Sequence, residues 1–114
     1  MKSVTREILL GFWKVHILHH AAQEPIYGLW AINELRRHGY AISPGTLYPL
    51  LNRMLRLGWL KCKSEPGGGR RARKEYRLTA SGRKVLGLVQ EQIRELHDEV
   101  VVKNNFSKYE RKVR

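Results

Sequence analysis

The segment EPGGGRRAR at 65–73 constrains the fold more than any other part of the chain. One proline and three glycines exclude regular structure there, and the arginines keep it in water. On either side the pattern repeats every two residues: Leu60 and Cys62 alternate with Lys61 and Lys63, and Tyr76 and Leu78 with Glu75 and Arg77. Two strands joined by a solvated tip make a hairpin that projects as a wing. The alternation points Cys62 inward, as a structural thiol.

Everywhere else the period is helical. Over 3–22, Ser3 is placed to cap a helix whose Ile8, Phe12, Val15 and Ala22 form a core stripe. A second stripe of Leu9, Trp13, His16 and His20 lies beside it, so this helix has more apolar and aromatic surface than one core contact uses. Pro25 ends it. A second helix, 27–38, turns Leu29, Ile32 and Leu35 inward and stops at Gly39. Ser43 and Pro44 start a third, running to Leu57, with Leu47, Leu50, Leu51, Met54 and Leu57 inside. Thr46, Asn52, Arg53 and Arg56 are left outside. Pro49 removes the bond to the Gly45 carbonyl, which predicts a tightened or bent first turn. Thr79 caps a last helix in which Leu86, Val89, Ile93, Leu96 and Val100 follow a heptad spacing. Two heptads are too few for a free coiled coil, so the seam needs further contacts and implies a homodimer shared with the first helix.

The 114 residues suit a single core, divided by this reading into a three-helix and wing unit at 1–78, a dimerisation helix at 79–103 and a basic tail at 104–114. The fold class is mainly α with a small β-hairpin. Twenty-two Lys and Arg face ten Asp and Glu, a net charge of +12 that calls for a polyanionic partner. Lys61, Lys63, Arg70, Arg71, Arg73, Lys74 and Arg77 crowd the wing against Glu65 and Glu75. No stretch is apolar enough to span a membrane, the start MKSVTREIL is too short for a secretory signal, and the single Cys62 suits a reducing compartment, so a cytoplasmic protein is expected. No paired carboxylates or Ser, His, Asp order propose catalysis, and GGGRRARK lacks the ending of a P-loop, so no enzyme and no cofactor are expected. His16 and His20 could share a metal with His97 as third ligand, but without an acidic ligand set no metal is assigned.

Three helices, a wing and a long helix are the order of a winged helix-turn-helix, whose third helix enters the major groove while the wing touches the flanking backbone. Asn52, Arg53 and Thr46 can read base edges, whereas Arg70, Arg71, Arg73 and Lys74 supply phosphate contacts. The other reading is a winged-helix interaction module that meets RNA, an acidic protein or anionic lipid without base readout. The stretches EPIYGLWAINELRRHG, ISPGTLYPLLNRM and RKEYRLTASGRKVL resemble the PadR-like transcriptional regulators, over about residues 8–86. The resemblance implies a dimeric repressor on a two-fold symmetric DNA operator, released when a small molecule binds between the first and last helices. It adds Tyr27, Ser43, Gly45 and Tyr48 to the DNA-contacting residues. It also places a small planar or hydrophobic effector on Leu9, Trp13, His16 and His20. Glu75 departs from it, standing where an aromatic is common.

Overall fold

A computed structural model describes residues 2–64, 67 and 73–103. Helix α1 (Lys2–Gln23) leads through the short strand β1 (Ile26–Tyr27) into α2 (Gly28–Arg37) and α3 (Pro44–Arg56). Strands β2 (Leu60–Ser64) and β3 (Lys74–Leu78) precede α4 (Ala80–His97), which continues into a π-helical turn, Asp98–Val102. The protein is mainly helical, as the periodicities predict. The sheet differs from a plain hairpin: it has three antiparallel strands in the order β1-β3-β2, with Ile26 opposite Tyr76 and Tyr27 opposite Glu75. A two-residue strand is too short to leave a periodic signal.

The core is one cluster drawn from every element. Leu47, Leu50, Leu51 and Met54 of α3 are all buried, as their spacing requires, together with Ala31, Ile32 and Leu35 of α2, Ile26, Ile42, Leu60, Tyr76 and Leu86. Helix α1 is turned relative to the expected stripe. It buries Trp13, Ile17, Leu18 and Ala21, while Ile8 and Phe12 stand in solvent. Trp13, expected on a partner-facing stripe, is only 4% exposed and lies inside the core, edge-on to Tyr40. With apolar groups around most of its circumference, this helix is oriented by fit: the flat indole meets Tyr40, and Ile17 lies beside Ile26, Ala31 and Leu35. Leu29 is likewise outside, 68% exposed, because Ala31, Ile32 and Leu35 already occupy the inner face of α2, and Leu57 is exposed beyond the end of α3.

Local chemistry explains the boundaries. Ser3 lies within α1 rather than capping it. Gly39 follows α2 with φ +90, the left-handed conformation that a glycine adopts freely. Ser43 holds the N-cap position of α3 in extended backbone, but its hydroxyl caps no backbone N–H; its carbonyl instead accepts from both Thr46 N–H (3.0 Å) and Leu47 N–H (2.9 Å). Such a shared bond is ordinary at a helix start, and α3 accommodates Pro49 without a break. Thr79 is a full cap: its Oγ1 accepts from Gly82 N–H at 2.9 Å and donates to the Gly58 carbonyl at 2.5 Å. Cys62 is exposed rather than inward. Beyond Leu60 the strand leaves the core, so both of its faces meet water and alternation no longer signals burial.

Candidate nucleic-acid interface

Burying Leu47, Leu50, Leu51 and Met54 forces the opposite side of α3 outward, and Ser43, Gly45, Tyr48, Asn52 and Arg53 are all exposed there. Thr46 is partly covered, because Arg6 of α1 donates to its Oγ1 at 3.2 Å. Arg6 thereby brings a cation to the head of α3 that no periodicity pointed to.

Beside α3 runs an open groove lined by Tyr27, Leu29, Trp30, Asn33, Tyr48, Asn52, Arg73 and Lys74. Leu29, Trp30 and Asn33 of α2 were not expected here; the outward turn of Leu29 is what puts them on this surface. Gly28 sets the groove's floor. A Cβ at that position would collide with the hydroxyl and ring of Tyr48, so only glycine lets the tyrosine lie against the start of α2.

Tyr27 ties the groove to the wing. The Arg73 guanidinium sits 3.8 Å above its ring centroid, a cation–π contact, and its hydroxyl donates to Glu75 Oε2 at 3.4 Å. Glu75 also accepts from Arg77 Nε at 2.6 Å, and this bond holds its carboxyl below the usual range. The carboxylate that replaces a common aromatic thus fixes the base of the wing. Arg70 and Arg71 lie outside the described residues, as does the tail at 104–114.

The remaining expected residues fall elsewhere. Leu86 is buried against the core and Val89 half-buried, but Ile93, Leu96 and Val100 leave the protomer uncovered. Leu9 packs against the edge of the core, and His16 and His20 stack with ring centroids 6.4 Å apart. The residue that joins them is His38, not His97, with His16 and His38 centroids at 4.9 Å. His97 is exposed on α4 beside Asp98.

Residues 17–88 match the model of the transcriptional regulator PadR-like family. The chain belongs to that family. Among curated proteins, the PadR-like chain is 44% identical over 96 residues to the transcriptional regulator Rv3488 of Mycobacterium tuberculosis, covering 84% of this chain and 89% of the other. Two solved structures superpose on it with a TM-score of 0.74. One is a PadR family transcriptional regulator from Eggerthella lenta, 35% identical, covering 87% of each chain. The other is a PadR-like transcription factor from Bacteroides fragilis, 28% identical, covering 86% of this chain and 95% of that one. The PadR-like regulator is therefore a DNA-binding protein of transcription and not an enzyme. No helix among its described residues is long and apolar enough to cross a membrane.

Proposed function

We propose that the regulator is a homodimeric, sequence-specific repressor, with α3 in the major groove of a two-fold symmetric operator and the wing on the flanking backbone. The observation that carries this reading is the division of labour on α3. Four apolar residues anchor the helix completely, while Asn52 and Arg53, side chains that pair with base edges, stand free of the core beside the Arg73 and Lys74 groove. Ser43, Gly45, Thr46, Tyr48 and Tyr27 frame the same surface, and Arg70 and Arg71, outside the described residues, are assigned to phosphate contact on their sequence alone. One protomer carries one such helix, so half-sites are expected about one helical turn apart, or a multiple. Residues 1–78 serve as the DNA-binding unit and 79–103 as the dimerisation helix, through Leu86, Val89, Ile93, Leu96 and Val100.

Release by a small planar or hydrophobic effector at Leu9, Trp13, His16 and His20 belongs to this reading. Trp13 supports it from inside the core, because its Nε1–H is buried without an acceptor among the described residues. Such a donor costs free energy until an acceptor reaches it.

Duplexes selected from a random pool test the DNA assignment. Asn52→Ala and Arg53→Ala should each cost about 1–3 kcal/mol on the selected duplex and relax the base preference at one position of each half-site. Changing Arg70, Arg71 and Arg73 to alanine should instead weaken all duplexes alike and flatten the salt dependence by about one unit per lost phosphate contact. An unchanged salt slope would remove the wing from the interface. Gly28→Ala offers an independent check. It should displace the exposed Tyr48 ring rather than the core, lowering affinity about tenfold, or about 1.4 kcal/mol, at an unchanged melting temperature. A melting temperature that falls with the affinity would mean that Tyr48 serves the fold instead.

A further inference from the structure

We propose that the regulator holds a divalent transition-metal ion of the zinc class between α1 and α2, with His16, His20 and His38 as imidazole ligands and Glu34 as the fourth. One ring nitrogen from each histidine lies within 4.8 Å of the others. A tetrahedral ion with bonds of 2.0–2.1 Å sets its nitrogens about 3.4 Å apart, so the donors must close by at most about 1.4 Å. His38 can supply that movement, because it is exposed at the end of α2. His16 and His20 are one turn apart on α1, the i, i+4 spacing at which two imidazoles on one helix face share an ion.

The carboxylate stands where the set needs it. Glu34 Oε2 lies 3.2 Å from His20 Nε2 and 3.1 Å from His38 Nε2, while Arg37 holds the two carboxylate oxygens at 2.8 and 2.9 Å. An ion-pair network joining α1 to α2 would account for Glu34, Arg37, His20 and His38. It does not account for His16, whose Nε2 faces the Tyr40 hydroxyl at 3.4 Å and whose ring is packed against both other imidazoles. Three imidazoles converging beside one carboxylate are a donor set for zinc, cobalt, nickel or copper rather than for magnesium or calcium. Burial, followed by the neighbouring histidines, pulls the His16 side chain below the ordinary histidine range, and burial does the same for His20 despite Glu34.

The inference goes beyond the DNA reading, because the site is complete within one protomer and needs neither duplex nor partner. A metal held there would leave Leu9 and Trp13 to an organic effector. Full-length, tag-free, metal-stripped protein would be titrated with Zn2+ alone by calorimetry and with Co2+ alone by visible absorption. One equivalent per protomer and a tetrahedral cobalt spectrum are expected. His38→Ala, whose side chain is exposed and whose fold should be intact, should weaken Zn2+ binding by about 100-fold or more, and Glu34→Gln by about 10- to 100-fold. Cys62→Ser and His97→Ala should leave it unchanged. Absence of stoichiometric binding, equal affinity in wild type and His38→Ala, or loss of the site in Cys62→Ser would each overturn the proposal.

Discussion

Replacing Ile93 and Leu96 together by aspartate is expected to turn the regulator into a monomer at micromolar concentration and to abolish specific operator binding. In the single protomer Ile93 is 44% exposed, Leu96 52% and Val100 56%, so none of them is committed to its own core. Ile8 and Phe12 of α1, which packs on α4, are uncovered as well. Neighbouring apolar side chains left in water on two packed helices form the kind of surface that a second copy covers. The aspartates would be harmless in a monomer and costly in a dimer, where a two-fold axis doubles each of them. Burying unpaired carboxylates costs several kcal/mol, and about 5.5 kcal/mol already weakens association by about 10,000-fold. Sedimentation should find half the mass with an unchanged far-ultraviolet circular dichroism spectrum. A variant that remains dimeric would move the interface off α4.

Among the described glycines, Gly82→Ala should be the most damaging to stability. A Cβ there would run into the Trp59 carbonyl and Leu78 Cδ1. That carbonyl is fixed, since it already accepts from Thr79 N–H at 3.0 Å, and Gly82 N–H is itself spent on the Thr79 hydroxyl. The first turn of α4 is thus clamped to the turn after α3, with backbone on both sides of the contact. Overpacking of this kind costs about 1–3 kcal/mol or more, which outweighs the gain of about 1 kcal/mol that alanine brings to a helix. Gly87 is the control. Nothing lies within 4 Å of a Cβ built there, so Gly87→Ala should stabilise by the propensity term alone. Denaturant midpoints moving in opposite directions are the expected result, and equal midpoints would mean that the clamp yields.

What could be read from the sequence follows from how strongly each segment is patterned. Helix α3 was legible except at its end, where Leu57 was expected inside and stands exposed, because four large apolar groups on one side leave no other way to place the rest. The Thr79 cap and the Gly39 stop were legible because each rests on chemistry local to a few residues. The roll of α1 was not, since Ile8 and Phe12 are as apolar as Trp13 and Ile17, and only the shape of the space left by the packed neighbours decides between them. Cys62 misled because alternation implies burial only where a sheet face is covered. At the groove, Asn52, Arg73 and Lys74 were expected together, whereas Trp30 and Asn33, and Arg6 at the head of α3, arrive through helix packing that no short window of sequence records. The same holds for His38, which meets His16 and His20 only after α1 and α2 have packed.

The strand order carries a consequence for the timing of synthesis. Among the described residues, Ile26 and Tyr27 pair only with β3, roughly fifty residues later in the chain, and the Arg73 to Tyr27 contact spans a similar distance. Helix α1 packs more heavily on β3 and α4 than on α2, and α3 more on β2 than on α2, so the three helices lack most of their partners while the ribosome is still translating the wing. The groove beside α3 cannot be closed at that stage. It is finished only when β3 has emerged and paired on both of its edges, so a nascent or prematurely terminated chain would lack both the later packing of its helices and the surface that lets them act. On this order of events, competence for DNA arrives late and all at once, when β3 and α4 have closed on α1.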